Sequence, residues 1–160
     1  MIGVRYVDYQ EDYLFSSTHP TNGNGLLVEN VDNRLLGAQV GGDLIYPVSL
    51  RTNVGFRGKA GVYANFDERQ TLVTNGGTLL INAGDNDVDI AGVIEGGIFA
   101  NYQIVPSIRL TAGYEFWYLP GIATIPEQQP GLISPSSGTD VREEADLFLH
   151  GGSVGVQVLF

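Results

Sequence analysis

The chain contains no cysteine, which excludes a disulfide framework, a thiolate nucleophile and any Cys-ligated metal. Charge is also scarce: Asp, Glu, Lys and Arg make up 16%, against about 25% in ordinary domains. Basic residues are scarcer still, eight against 18 acidic ones, for a net charge of −10. That balance argues against a nucleic-acid partner, since phosphate binding needs a basic face. It also argues against peripheral attachment to anionic lipid. No run nears the roughly 20 apolar residues of a membrane-spanning helix, and helical periodicity is hard to find, because Gly interrupts the apolar stretches.

What is abundant is Gly, at 22 residues, with aromatics at 10% and hydrophobics at 43%. These suit strands that pack on both faces or meet lipid. Alternation with period two recurs along the chain. Leu36, Ala38, Val40, Leu44 and Tyr46 oppose Leu35, Gly37, Gln39, Gly41 and Asp43. After Pro47, Leu50, Val54, Phe56, Ala60 and Val62 oppose Arg51, Asn53, Gly55, Arg57, Lys59 and Gly61. Ile90, Ile94, Ile98, Ala100 and Tyr102 oppose Asp89, Glu95, Gly97 and Asn101. Ile108, Leu110, Ala112, Tyr114, Phe116 and Tyr118 oppose Arg109, Thr111, Gly113, Glu115 and Trp117. Val154, Val156, Val158 and Phe160 close the chain, and residues 3–15 form a weaker strand. The count is about six strands by this template.

Connections near Pro47 and Pro106 are short, whereas 16–33, 70–87 and 121–145 read as long polar loops. Short and long alternate, which in an up-and-down meander puts the long loops at one end, as in outer-membrane barrels. Two readings of the faces compete. A soluble barrel hides its apolar face inside. Three features favour lipid outside instead. Small residues dominate the polar face, as an enclosed interior prefers. The charges Arg51, Arg57, Lys59, Glu95, Arg109 and Glu115 look mutually compensating across strands, with Arg109 beside Glu115. Aromatics gather near strand ends, as interfacial girdles do. Val154, Val156, Val158 and the terminal Phe160 further resemble the signal read by the barrel-assembly machinery.

Several segments resemble the planctomycete outer-membrane β-barrel family, whose function is undefined. They are Asn33-Arg34-Leu35-Leu36-Gly37-Ala38-Gln39-Val40-Gly41, Lys59-Ala60-Gly61-Val62-Tyr63-Ala64-Asn65, and Ile94-Glu95-Gly96-Gly97 with Tyr102-Gln103. The stretch from Leu110 through Tyr114-Glu115-Phe116-Trp117-Tyr118 to Ala123 is the nearest match. The resemblance implies fold and location and carries over no catalytic residue. Family members begin with a signal peptide and further N-terminal sequence, whereas Met1 here runs straight into a strand pattern. The expectation is a removed leader or a chain that begins partway through a longer barrel.

Other motifs are discounted. Asp85-Asn86-Asp87-Val88-Asp89 has the alternating acids of a calcium loop, but Ile90 and Gly96 stand where such a loop needs Gly and Glu. A solvated acidic loop is the reading. His150 has Asp146 and Ser153 nearby, at offsets not expected to share a face, and His19 lies in a loop. Trp117 reads as a packed or girdle aromatic rather than a sugar platform. Gly41-Gly42 and Gly76-Gly77 are not phosphate loops, and Gly96-Gly97 reads as a bend or close-packing point.

The expectation is therefore an all-β, antiparallel, up-and-down outer-membrane-type β-barrel in a bacterial outer membrane, spanning 1–160 or forming the C-terminal part of a larger barrel. Its role would be structural, pore-like or scaffolding, without catalysis, cofactor or metal. Its partners would be membrane lipid and the assembly machinery. Known single-chain barrels start at about eight strands, so six predict an incomplete barrel, completed by further N-terminal strands, by self-association, or by extra pairing from a long loop such as 70–87, with Thr78 to Ile81 the leading piece. The alternative is a soluble, lipocalin-like barrel that binds a small ligand.

Overall fold

A computed structural model describes residues 1–20, 23–128, 141–142 and 145–158. Six strands follow one another: β1 (Ile2–His19), β2 (Gly23–Pro47), β3 (Thr52–Asn75), β4 (Thr78–Val105), β5 (Ile108–Ile122) and β6 (Ala145–Val158). One helical turn, α1 (Ile125–Gln128), lies between the last two strands. Every neighbouring pair is antiparallel, in the order β1-β2-β3-β4-β5-β6. The sheet curls into a half-barrel. Among the described residues β1 pairs only with β2 and β6 only with β5, so the sheet has two edges.

Two expected loops are strands instead. Residues 16–19 pair with 23–26, and 70–75 with 78–84 across one register shift at Val73/Thr74, with Ser16 opposite Leu26 and Gln70 opposite Gly84. The turn of the second hairpin is only Gly76-Gly77, both at positive φ (56° and 79°), the requirement of a type I′ hairpin turn. Thr71–Thr74 and Thr78–Ile81 carry the β-branched residues that favour pairing. Their outward neighbours are polar, while Arg69, Thr71, Val73 and Ile81 are buried on the other face. Leu50 and Arg51, in contrast, sit in the turn 48–51 and not on a strand.

Away from the register shifts near Thr74, Gln103 and Gly121, the odd-numbered side chains of β2 to β6 line the concave face, and the even-numbered ones the convex face. Glycines set the curl. A Cβ on Gly37 would lie 2.2 Å from the Val62 carbonyl and 2.7 Å from the Tyr63 ring. One on Gly61 would meet the same ring at 2.7 Å. The Tyr63 ring, 1% exposed, thus fills the space that two inner side chains would need. Small inner residues let the strands bend toward each other.

On the convex face an apolar band ends at a clear border. Leu36 is paired with Tyr6, and Phe66 with Val88. Beyond them the outward residues turn polar: Asp8, Gln10, Asp12, Asp32, Arg34, Glu68, Gln70 and Asn86. Arg34 reaches Asp32 at 3.8 Å and Glu68 at 3.6 Å there. The strands therefore consist of an apolar-banded half and an extension above it.

Gly37→Val forces a side chain into the Tyr63 ring and the β3 backbone, and is expected to cost at least about 1–3 kcal/mol. Gly155→Val meets nothing within 4 Å and should leave stability unchanged. Urea unfolding of both variants in detergent measures the difference.

Candidate functional site

The concave face below the border carries a network of charges. Lys59 Nζ lies 3.0 Å from Glu95 on the adjacent strand. Arg5, from β1, crosses the concavity to the same carboxylate. Its guanidinium sits 4.4 Å from the centroid of the Trp117 ring, within cation–π range. Glu95 is 8% exposed, so both cations compensate a largely desolvated charge. Arg57 binds both Asp43 oxygens, at 2.9 and 3.0 Å, and lies 3.7 Å from Glu115.

Of the residues singled out from the sequence, Arg57, Lys59, Glu95 and Glu115 come together in this network. Arg109 does not pair with Glu115, whose partner is Arg57; its Nε donates to Gln103 Oε1 at 3.1 Å. Arg51 and Arg109 instead lie toward the short turns, around a recess shared with Asn53, Asn101 and Gln103. Arg5 and Trp117 were not expected in the network. Odd numbering put Trp117 with Glu115, but β1 alternates too weakly to mark Arg5. Val154, Val156 and Val158 project from the convex face of the β6 edge, exposed; Phe160 lies outside the described residues.

Above the network the concavity is filled. Gly121 turns the chain at φ 75°, and residues 122–128 fold inward from β5 toward β1 and β2. Buried Asn33 grips this segment twice. Its Nδ2 donates to the Ala123 carbonyl at 2.7 Å, and its Oδ1 accepts from the Ala123 N–H at 2.8 Å. Glu11 accepts from the Ile125 N–H at 2.8 Å. Arg69, held by Glu29, donates to the Gln128 carbonyl at 2.6 Å. Leu35, Tyr63, Ala91, Val93, Leu119 and Ile122 form an apolar cluster beneath, while Val31, Ala123, Ile125 and Val141 form another. The described part of the connection after β5 is thus an in-folded plug, fixed by buried polar side chains.

The acidic run Asp85-Asn86-Asp87-Val88-Asp89 is extended strand, not loop. Asp85, Asp87 and Asp89 face Arg69, Asp67 and Asn65 respectively. Among the described residues no group of three His, Asp or Glu is placed to hold a metal. Asp146 and His150 do share the convex face, unlike the expectation for these offsets. They are bonded separately, Asp146 to the Tyr118 hydroxyl and His150 to Tyr114, while Ser153 takes the other face. No protein-family model, curated protein or solved structure matches this chain.

Asp67 lies in the extension, 2% exposed. Its Oδ1 accepts from the Asp87 N–H at 3.0 Å, whereas Oδ2 has no hydrogen-bond partner. Burial, reinforced by the charges of Asp87, Asp89 and Asp85, pushes its carboxyl above the usual value. A raised folded value means that the group favours folding below the unfolded carboxylate range, about 3.9. That contribution is lost as pH rises through the folded value. Asp67→Asn keeps the acceptor and removes the charge, so it should stabilise the protein at pH 7. The gain should vanish below about pH 4, as followed by urea midpoints across pH.

Proposed function

We propose that this chain is a segment of an outer-membrane β-barrel whose convex face meets lipid, with a structural, pore-like or scaffolding role and no catalysis. One observation carries the reading: the apolar residues are on the outside. Val40, Leu44, Val62, Ile90, Ile98 and Val156 all project from the convex face, and Ile90 and Leu44 are 78% and 74% exposed. Charges and amides line the inside. Monomeric proteins in water seldom expose contiguous apolar patches above a few hundred Å². A soluble ligand-binding barrel needs the opposite arrangement, an apolar interior beneath a polar surface.

The dimensions agree with a bilayer. On β2 the band covers residues 36–46, about 11 residues, which is what a strand tilted by about 45° needs to cross hydrocarbon. Aromatics mark both borders. Tyr46 and Tyr102 lie toward the short turns, and Tyr6, Phe66, Tyr118 and Phe148 toward the extension. Tyr6 and Tyr118 each donate to an acid beyond the band, Asp8 and Asp146, as amphipathic rings at an interface do. The extensions of β1 to β4 would then stand clear of the membrane as tall hairpins. The resemblance of this sequence to the planctomycete barrel family fits the same reading, which would place the chain in a bacterial outer membrane, delivered by the assembly machinery.

An open sheet cannot stay open in lipid, because each unpaired backbone group costs several kcal/mol there. Strands β1 and β6 run antiparallel to one another, so further strands in even number, from additional chain or a second copy, would close an up-and-down barrel.

Ile98→Arg places a charge inside the band and should cost about 2–4 kcal/mol of stability in lipid, falling to about 0–1 at an interface. Leu110→Arg, at the level of Tyr102, belongs to the interfacial case. Refolding into vesicles, followed by a heat-modifiable gel shift, measures both. Equal tolerance at the two positions, or full folding without detergent or lipid, would count against lipid contact.

A further inference from the structure

The basic residues of the concave face divide into two groups. Arg5 and Lys59 share Glu95, Arg57 takes Asp43 and Glu115, and Arg69 takes Glu29. Arg51 and Arg109 have no acidic partner among the described residues. Both lie at the short-turn end, and the ladder aligns them. The Gln103 N–H donates to the Arg51 carbonyl at 2.7 Å, and Gln103 is paired with Arg109. Arg51, Gln103 and Arg109 thus stand in one row across three adjacent chain segments, the two arginine backbones about 10 Å apart.

Gln103 is the keystone of that row. Its Nε2 donates to the carbonyls of Val105 and Pro106 at 2.7 and 3.0 Å. Those bonds turn its Oε1 toward Arg109, where it accepts from Nε at 3.1 Å. Arg109 is therefore held by its inner nitrogen, while its terminal fork makes no bond to any described residue. One row further in, Asn101 donates to Asn53 and accepts from Thr111, each at 2.8 Å. The recess above these side chains has a volume of about 270 Å³ and includes the Arg51 side of the turn. In a chain of net charge −10, Arg51 and Arg109 both line this recess without a carboxylate against them among the described residues, which leaves two guanidinium groups to meet an anion that enters it.

We propose that this recess binds a small soluble oxyanion of the phosphate class, with Arg51 and Arg109 as its ligands and Gln103 as the positioning residue. The geometry of a guanidinium fork matches tetrahedral phosphate oxygens. The site deepens the pore-like reading, on which its location in a water-filled interior rests: it gives one mouth of that interior a preference for anions.

The test is titration of the full chain in detergent micelles with inorganic phosphate, against chloride at equal ionic strength, by calorimetry. Saturable phosphate binding is expected, weakened at least tenfold in Arg51→Gln and in Arg109→Gln. Arg34→Gln, on the convex extension, should bind as the parent does. If Arg109→Gln loses folded protein, Arg51→Gln decides alone, since the Arg51 side chain makes no hydrogen bond among the described residues. Phosphate indistinguishable from chloride, or unchanged binding in Arg51→Gln, would overturn the site. Competition by short-chain phosphatidylglycerol would overturn the assignment to a soluble anion. Phosphate binding in micelles by a chain that never enters vesicles would refute the membrane reading instead, so the two failures are separable.

Discussion

The structure depends on a single constraint: over the banded half of the strands, glycine, polar groups and a few packed side chains such as Tyr63 must face the inside of the curl, and apolar ones the outside. Because the side-chain period is two, shifting any strand by one residue would exchange its whole set of faces. Lys59 would then leave Glu95 and point outward beside Ile94, while Phe56 would press into the glycines. The register is consequently fixed on both faces at once. The charge network and the Tyr63 ring over Gly37 and Gly61 specify the inner face. Whatever covers Ile90, Ile98 and Val62 specifies the outer one.

The plug follows from the same constraint. The inward side chains Leu35, Tyr63, Ala91, Val93 and Leu119 form an apolar cluster, and residues 122–128 turn inward onto it, with Ile122 joining it. Their own backbone then needs partners away from the ladder. Asn33, Glu11 and Arg69 provide them from three different strands. Such buried, fully directed hydrogen bonds hold the segment in one place. They also link β1, β2 and β3 to the chain that leaves β5, across the interior rather than along the sheet. The half-barrel therefore has cross-bracing that its two free edges would otherwise leave it without.

Much of this was legible in the sequence. Alternation in the segments around Val40, Phe56, Ile98 and Tyr114 marked the strands, their order and their inner charges, because half-buried strands announce themselves by period. Three things were not legible. The extensions of β1 to β4 have polar residues on both faces, and without an apolar face period two carries no signal; Gly76-Gly77 between Val73 and Leu79 was the one clue to a hairpin. The pairing of Arg57 with Glu115 rather than Arg109 depends on which residues share a level, which no single strand reveals. The plug leaves no pattern either, since Asn33 and Asn65 look like any polar strand residues until the segment they hold is seen.

The central claim is that the apolar face is the outer, lipid-covered one, and the absence of cysteine allows a direct measurement. Single cysteines introduced in turn at 98 to 103, labelled with nitroxide in lipid vesicles, report access to oxygen, which partitions into lipid, and to a water-soluble paramagnetic nickel complex. The account predicts oxygen access at 98, 100 and 102, and nickel access confined to 99, 101 and 103. Nickel access at the even positions, or an alternation of the opposite phase, would contradict it.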